Sequence, residues 1–208
     1  MVKFKPDIDK SLKRQTKIGK AAASVFNKEG YLETNMNDIA AAAKLSKGGL
    51  YHYFKSKEEI LFFILDNYMD LVLEDLESQL QGFRDSRLKM QFIIDRHINL
   101  YANHIAEAKT LLHDAYCLSS KHHKLITDKE RKYYGIVTEV ITEFFEGSGD
   151  IKPQDVKALA FLLFGMCNWT YHWYDPKGPI TPDGLSRMVW TVFLNGITKH
   201  RQGKSEKR

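Results

Sequence analysis

The sequence predicts an all-α protein of about nine helices, and three observations lead to this fold class. Apolar residues recur at helical spacing along most of the chain. No stretch keeps up the two-residue alternation that a half-buried β-strand shows. The five prolines fall at helix starts or in connections, which leaves about 145 residues between Pro6 and Pro153 without a helix breaker.

The expected helices follow from caps, glycines and the apolar pattern. Gly30 stops the first helix, and Asn35 or Asn37 caps the second. Ser56 and Glu59 have the spacing of a capping box at the start of the fourth. The expected helices cover residues 11–28, 38–44, 46–53, 57–81, 84–102, 105–118, 121–146, 153–174 and 183–200.

The composition is that of an ordinary globular chain. With 208 residues, 43% hydrophobic and 27% charged, it can bury a core as one large domain or two small ones. This excludes disordered, collagen-like and disulfide-rich proteins. No apolar run reaches the ~18 to 20 residues of a membrane span, and the first residues lack the apolar core of a signal peptide, so we expect a cytoplasmic protein with no membrane partner. Cys117 and Cys167 lie far apart in apolar helical patterns, which favours reduced thiols.

The net charge of +5 is concentrated at the start of the chain. Residues 1–60 contain twelve Lys/Arg and seven Asp/Glu, a net +5, whereas residues 61–208 contain nineteen of each. Within that neutral remainder, residues 199–208 are net +4. A basic N-terminal part on a mildly acidic body indicates a unit that binds a polyanion.

The second and third helices are short, joined by a tight turn at Leu45 and packed on a longer first helix, which are the parts of a helix-turn-helix. Asn35 and Ser46, at the helix starts, can present polar groups to phosphates, since helix N-termini favour anions. Gly48 and Gly49 each cost about 1 kcal/mol of helix stability relative to Ala, but they allow a base edge or sugar to approach the backbone closely.

Four further side chains complete the expected DNA-binding set. Lys47 enters with the first turn of the third helix, Tyr51 can bond a phosphate, and His52 can reach a base edge. Lys57 is expected on the flanking backbone of the DNA. The alternative is that the aromatic residues are only the core of a small helical domain. Helical periodicity favours a split, with Leu50, Tyr53 and Phe54 inward and Lys47, Gly48, Tyr51 and His52 outward.

The stretches 30–40 (GYLETNMNDIA) and 45–59 (LSKGGLYHYFKSKEE) resemble the DNA-binding signature of TetR-type transcriptional regulators. The resemblance implies a homodimeric, repressor-like protein that reads a near-palindromic operator in double-stranded DNA. It also implies that Asn35, Lys47, Gly48, Tyr51, His52 and Lys57 lie against DNA. Asn35 and Gly49 stand where Thr or Ser is more usual in that family. The expected division is a helix-turn-helix DNA-binding domain at 1–56, a ligand-binding and dimerisation domain at 57–200, and a disordered basic tail at 201–208.

The last two helices have more apolar surface than one packing partner can cover. Residues 158–169 are apolar nearly all round, and the final helix has one stripe from Leu185 to Ile197 and a second at Trp190 and Leu194. Such a surplus favours a four-helix interface between two copies of the chain, and burial within one copy is the alternative.

An effector pocket is the other expected element of the body. Aromatic and apolar residues with a few polar groups are the usual lining of a small-molecule cavity. Residues 168–179 resemble the corresponding stretch of a TetR branch that responds to acyl-CoA thioesters, which implies an acyl-CoA or fatty acid as effector. A regulator of multidrug efflux that senses cationic or aromatic drugs is the alternative. The predicted ligand-binding residues are Phe92, His97, Tyr101, His104, Tyr116, Tyr133, Phe164, Asn168, Trp169 and Trp173.

Other functions find less support in the sequence. There is no phosphate loop, G-x-G-x-x-G, HExxH or G-x-S-x-G motif, so we expect neither an enzyme nor a cofactor. His113, Asp114 and Cys117 could bind a metal with His97 or His104, but no compact ligand spacing completes the set. A non-specific nucleic-acid-binding protein would need only charge, and not paired glycines and helix caps at these spacings.

Overall fold

The computed structural model describes residues 5–146 and 152–205. These residues form ten α-helices and two 3-10 turns, at 115–117 and 169–172, and no β-strand. The predicted all-α class is confirmed. The helices are α1 Lys5–Glu29, α2 Met36–Ala42, α3 Lys47–Tyr51, α4 Lys57–Leu73, α5 Leu76–Gln81, α6 Ser86–Asn103, α7 Ile105–Asp114, α8 Ser120–Phe145, α9 Pro153–Asn168 and α10 Pro182–Ser205.

The expected fourth helix is two helices, because the chain breaks after Leu73. Asp75 adopts a left-handed conformation with φ 52°, which an α-helix cannot accommodate. The guanidinium of Arg96 on α6 donates to the carbonyls of Val72 at 3.4 Å and Glu74 at 2.7 Å. A cation at a helix C-terminus satisfies the unpaired carbonyls there and complements the helix dipole. Nothing local in the sequence marks this break, since its cap comes from another helix.

The end of the chain also differs from expectation. Helix α10 continues to Ser205, so residues 201–205 of the expected tail are helical. Lys and Arg near a helix C-terminus favour continuation, because they complement the dipole and are good helix formers. Residues 206–208, and residues 147–151 after the expected helix 121–146, lie outside the described residues.

The chain forms two compact units, each made of two separate stretches, and the expected domain division at residue 56 stays a prediction. Unit 1 comprises residues 1–71 and 106–129, and unit 2 comprises residues 72–105 and 130–208. The helix-turn-helix thus shares its unit with most of α4, with α7 and with the start of α8. Sequence order did not show this, because the segment 106–129 packs with residues that precede it by more than 30 positions.

The core of unit 1 joins α1 to the short helices. The side chains of Ile18, Phe26, Ile39, Leu50 and Phe54 are at most 2% exposed. Asn27 connects α1 to α7, because its Nδ2 donates to the carbonyl of Ala106 at 2.8 Å and lies 3.1 Å from Thr110 Oγ1. Thr110 is fully buried, so this contact holds an inaccessible polar group in place.

The core of unit 2 is built from α6, α8, α9 and α10. Helix α10 packs along α6, and α9 contacts both. Between them lie buried aliphatic residues, among them Ile94, Val137, Ile141, Ala160 and Leu163. In the part of the chain that the structure describes, we find no helix whose length and hydropathy would let it cross a membrane.

The Asn27 contact leads to a stability prediction. In Asn27→Asp the donor becomes a carboxylate that faces the Ala106 carbonyl, so we expect the free energy of unfolding to fall by about 1 to 3 kcal/mol. Asn103→Asp is the matched control, because Asn103 also lies at a helix C-terminus and donates to the carbonyl of Asn99 in its own helix, four residues earlier. Urea denaturation of both variants measures the difference, and equal losses would contradict the role of Asn27.

Candidate nucleic-acid interface and ligand site

Side-chain caps hold the two short helices of the helix-turn-helix. The Asn35 side chain accepts from the amides of Asn37 at 2.8 Å and Asp38 at 3.3 Å, while the Asp38 carboxylate accepts from the amide of Asn35 at 2.8 Å. Ser46 Oγ accepts from the amide of Gly49 at 3.1 Å. The predicted caps at Asn35 and Ser46 are confirmed. The left-handed residue of the turn is Lys44, with φ 55°, one position before the predicted Leu45.

Helix α3 has one buried and one exposed face, as periodicity predicted. Leu50 is fully buried and Phe54 is 2% exposed, whereas Tyr51 is 44% exposed and Lys47, Gly48 and His52 are also exposed. Tyr53 is half-buried, and its ring lies edge-on to that of His52 at 5.1 Å. The exposed face therefore offers an ammonium, a phenol and an imidazole. Their contact with DNA stays a prediction.

The two glycines of α3 have different surroundings. A Cβ on Gly49 would lie 3.2 Å from Ser46 Oγ, so the cap itself requires a small residue there. A Cβ on Gly48 would meet nothing within 4 Å. Since Gly48 also has an ordinary helical backbone, nothing in the described part of the protein requires its lack of a side chain. This favours a requirement from outside the molecule, such as a closely approaching DNA backbone or base.

Lys57 has an internal role that the sequence did not predict. Its ammonium donates to three carbonyls, that of Tyr31, that of Leu32 at 3.2 Å and that of Thr34 at 2.8 Å. The ammonium nitrogen also lies 4.2 Å from the centre of the Tyr31 ring. These bonds use its three donors to hold the connection between α1 and α2. A bond from Lys57 to a DNA phosphate therefore requires the ammonium to leave these carbonyls, and it remains a prediction.

The excess charge of the N-terminal part lies along α1. Lys10, Lys13, Lys17 and Lys20 are exposed and recur at three- and four-residue spacing, so they share one side of the helix. The opposite side carries the buried Ile18 and its neighbours in the core. The positive charge is thus exposed, as a polyanion-binding unit requires.

Five of the ten predicted ligand residues form one cluster in unit 2. His97 is its centre: Nδ1 lies 2.9 Å from the hydroxyl of Tyr133, and Nε2 lies 2.9 Å from Asn168 Oδ1. The His97 ring stacks on Tyr101 at 5.4 Å and lies 6.0 Å from the ring of Phe164. We call these five residues the His97 cluster. It brings together α6, α8 and α9.

The hydrogen bonds of His97 define its proton arrangement. Because the Asn168 carbonyl oxygen can only accept, Nε2 carries the proton and Nδ1 accepts from the Tyr133 hydroxyl. Burial lowers the pKa of His97 from its ordinary 6.5 to about 4, although the bond to Asn168 acts in the opposite direction. Burial also raises the pKa of Tyr133 well above its usual range. The three polar groups are therefore all uncharged at neutral pH.

The other predicted ligand residues lie outside this cluster. Tyr116 belongs to unit 1, where it is 69% exposed. Trp169 and Trp173 are 63% and 53% exposed in and after the 3-10 turn that follows α9, and Trp169 lies 4.1 Å from the ring of His172. Phe92 packs against Phe83 instead, and His104 caps the C-terminus of α6. Spacing could not separate these positions, because each also fits the apolar pattern of a helix.

Helices α9 and α10 each keep an exposed apolar stripe. On α9 Phe161 is 58% and Leu162 62% exposed, and on α10 Met188 is 55% and Val192 62% exposed. The apolar stripe that the sequence assigned to α10 is thus divided. Leu185, Val189 and Phe193 are buried, Met188 and Val192 are exposed, and the side chain of Ile197 is outside the described set.

The alternative metal site does not assemble within residues 5–146 and 152–205. No three His, Cys, Asp or Glu side chains there come close enough to hold a metal ion. His113, Asp114 and Cys117 belong to unit 1, whereas His97 and His104 belong to unit 2. Cys167 is buried, which raises the pKa of its thiol to about 12, so it packs as an apolar residue.

Both parts of the chain match known family models. The family described as "Bacterial regulatory proteins, tetR family" matches residues 18–63, which contain the helix-turn-helix. The family described as "Tetracyclin repressor-like, C-terminal domain" matches residues 84–197, which contain the His97 cluster.

Individual proteins match over most of their length. The HTH-type transcriptional repressor KstR2 of Rhodococcus jostii (strain RHA1) is 27% identical over 195 residues, covering 88% of this chain and 91% of that protein. The fatty acid metabolism regulator protein of Bacillus subtilis (strain 168) is 26% identical over 181 residues, covering 85% and 92%. The crystal structure of AibR in complex with isovaleryl coenzyme A and operator DNA shows 30% identity and a TM-score of 0.75, covering 86% of this chain and 98% of that one.

The open surroundings of Gly48 predict opposite effects on stability and on DNA binding. Gly48→Ala should raise the free energy of unfolding by about 0.5 to 1 kcal/mol, because Ala favours the helix and its Cβ meets nothing. The same methyl should weaken binding to a specific duplex by tenfold or more. Gly135→Ala on α8, which also meets nothing within 4 Å, should gain stability without losing affinity. Fluorescence anisotropy and urea denaturation measure both quantities, and unchanged affinity in Gly48→Ala would contradict the assignment of this face.

The lowered pKa of His97 predicts an acid-sensitive contribution to stability. The unfolded chain protonates this histidine near pH 6.5 and the folded one only near pH 4, so unfolding is favoured as the pH falls between these values. From pH 7 to pH 5 the loss should be about 2 kcal/mol. The glutamine of His97→Gln does not titrate. Between pH 7 and pH 5 the free energy of unfolding of this variant should therefore fall by about 2 kcal/mol less than that of the wild type. A wild-type dependence in His97→Gln would rule out the assignment.

Proposed function

The chain belongs to the TetR family of bacterial regulatory proteins, and on this basis we propose that it is a repressor that leaves its operator when an acyl effector binds to the His97 cluster. Members of this family are DNA-binding regulators and not enzymes. In the proposed cycle the effector-free dimer binds a near-palindromic duplex with the exposed face of α3. The effector then changes the separation of the two recognition helices, which must lie about 34 to 36 Å apart to meet successive major grooves.

The DNA-binding part of the proposal rests on the exposed face of α3. The proposed DNA contacts on this face and next to it in the chain are Asn35, Ser46, Lys47, Gly48, Gly49, Tyr51, His52 and Lys57. Asn35 and Ser46 cap the N-termini of α2 and α3, and amide groups at helix N-termini favour phosphate oxygens. The lysines along α1 supply further positive charge, which raises affinity for any duplex and makes it depend on salt.

The dimer is proposed to form through α9 and α10. Their exposed Phe161, Leu162, Met188 and Val192 lie on helices whose other faces are already buried in unit 2. Gly165 and Gly196 lie on the same two helices, and a Cβ on either would meet nothing within 4 Å. Glycines on an exposed apolar stripe allow close approach of a second pair of helices, as in a four-helix interface.

The effector assignment rests on three uncharged polar side chains that are hydrogen-bonded in a line, Tyr133, His97 and Asn168, and that lie between aromatic rings. A neutral carbonyl, such as that of a thioester, suits this line, because it can accept from the Tyr133 hydroxyl or the Asn168 amide. A free carboxylate would bring an uncompensated charge next to an imidazole that burial keeps neutral. None of the five residues of the His97 cluster is acidic, so the cluster offers no carboxylate to pair with a cationic drug. An acyl-CoA thioester is therefore our proposed effector.

Two of the matched proteins are described by a link to fatty acids or to an acyl-CoA, which supports this proposal. One matched relative is a fatty acid metabolism regulator, and AibR was crystallised with isovaleryl coenzyme A and operator DNA. At 26% and 30% identity these proteins share the family with this chain.

We expect CoA thioesters to release this protein from its operator. An operator is first selected from random duplexes, and release is then followed by anisotropy with isovaleryl-CoA, octanoyl-CoA, octanoate, free CoA and tetraphenylphosphonium. Only the thioesters should lower operator affinity, by about 5- to 150-fold. Tyr133→Phe should weaken that response about tenfold through loss of its hydroxyl, and Tyr134→Phe on the same helix should not. Release by tetraphenylphosphonium alone would favour the drug-sensing alternative, and release by octanoate alone would favour a free fatty acid.

A further inference from the structure

The start of α4 is held to the start of α8 by a polar contact that the DNA-binding signature does not require. The carboxylate of Glu58, in the first turn of α4, accepts from the amide of Ser119 at 3.0 Å. The same oxygen lies 2.7 Å from Nδ1 of His122. The His122 ring stacks on Phe62 with centres 4.1 Å apart and planes inclined by 13°. Glu58 therefore caps the N-terminus of α8 while it belongs to the helix that follows α3.

The electrostatics of this contact favour an ionised Glu58. Hydrogen bonds from Ser119 and His122 lower the pKa of Glu58, the backbone amide of Ser119 having the largest effect. A carboxylate at a helix N-terminus is also stabilised by the helix dipole. Both side chains are half-buried, so the pair is partly shielded from water.

A second polar contact joins the same two helices further along. Lys129 of α8 lies 2.5 Å from Asp66 Oδ1 and 2.6 Å from Asp70 Oδ1, both on α4. Glu58, Phe62, Asp66 and Asp70 recur every four residues, so they form one row on α4. His122 and Lys129 are seven residues, or two turns, apart on α8. We call these six residues, with Ser119, the α4–α8 seam. All of them belong to unit 1.

The seam fixes one register between two helices. Apolar side chains tolerate small sliding movements, because their attraction is not directional. Hydrogen-bonded and charged pairs lose their geometry when one helix slides or rotates, so polar contacts of this kind specify a register. A movement of α8 along its axis must therefore either move α4 with it or break the bonds of Glu58 and Lys129.

Helix α8 also contributes a residue to the His97 cluster. It is unbroken from Ser120 to Phe145, and Tyr133 lies eleven residues beyond His122. Eleven residues are about three turns and about 16 Å of helix, so the two side chains lie on nearly the same face. The Tyr133 hydroxyl bonds His97 at 2.9 Å. The same helix thus contributes Tyr133 to the proposed effector site and His122 to the contact with the first turn of α4.

We propose that Glu58 and His122 are positioning residues through which α8 transmits the state of the His97 cluster to the DNA-binding helices. The effector-dependent half of this statement rests on the proposed function above. When an effector displaces the Tyr133 hydroxyl from His97, α8 shifts, and the seam carries the shift to α4 just after the recognition helix. By linkage, operator binding must then alter the His97 cluster to the same extent as the effector alters operator binding.

The test uses two histidines of the same helical turn. His122→Phe keeps a ring to stack on Phe62 but removes the bond to Glu58. His123→Phe makes the same change at an exposed neighbour, whose Nδ1 lies 3.4 Å from Thr127 Oγ1 on the same helix. The first measurement needs no effector. Histidine-ring NMR of the full-length protein follows His97 as selected operator duplex is added. The wild type and His123→Phe should show a shift of the His97 resonances, and His122→Phe should lose it.

A second measurement follows operator release by isovaleryl-CoA and octanoyl-CoA. His122→Phe should reduce the thioester-induced loss of operator affinity at least fivefold, while effector-free operator affinity and thioester affinity stay within threefold of wild type. A purely structural role would instead lower all three together. Absence of a His97 shift in the wild type, or its persistence in His122→Phe, would overturn the transmission through α8. Absence of release from wild type by any thioester, with the His97 shift intact, would overturn only the effector assignment.

Discussion

A five-residue helix that contains two glycines is not stable by itself, and this constraint shapes the whole of unit 1. Helix nucleation is unfavourable, and each glycine weakens the helix further. The surrounding residues make up the deficit: Ser46 caps the first turn, while Leu50 and Phe54 bury the inner face. The outer face therefore does not contribute to the stability of the helix. Its residues can be selected for contacts outside the protein, which explains why a glycine occupies position 48 although a Cβ there would meet nothing within 4 Å.

Support for the recognition helix continues through α4. Lys57 holds the loop between α1 and α2, and Glu58 holds the first turn of α8. These consecutive residues face different partners, because neighbouring side chains on a helix diverge by about 100°. Together they make the orientation of the DNA-binding helices depend on long-range contacts. A regulator whose DNA affinity must change with a ligand needs such dependence, since a self-sufficient DNA-binding domain could not respond to the rest of the chain.

In unit 2 the corresponding constraint is the neutrality of the His97 cluster. An imidazole placed among Tyr101, Tyr133 and Phe164 loses most of its hydration, so its charged form is disfavoured. Its two nitrogens are then free for one donated and one accepted hydrogen bond. The result is a polar line with a defined direction, from the Tyr133 hydroxyl through His97 to Asn168. Such a line can distinguish a carbonyl from a charged group without any charge of its own.

The sequence by itself determined the features that depend on neighbours along the chain. Helical periodicity, the caps at Asn35 and Ser46, the outward and inward faces of α3 and the charge of the N-terminal part were all predictable, because each is set within about four residues. The match of residues 30–59 to one family signature extended this to the function class. The sequence also singled out the five members of the His97 cluster as aromatic and polar residues at helical spacing, and their contact with a ligand stays a prediction.

Only the tertiary structure decided which distant residues meet. Lys57 binds carbonyls of the α1–α2 loop, Tyr116 belongs to unit 1 whereas His97 belongs to unit 2, and the break after Leu73 depends on Arg96 from another helix. The unit boundaries and the α4–α8 seam have the same origin. In each case the deciding contact joins residues more than 20 positions apart, and such contacts are set by packing and desolvation of the folded chain, which no local pattern records.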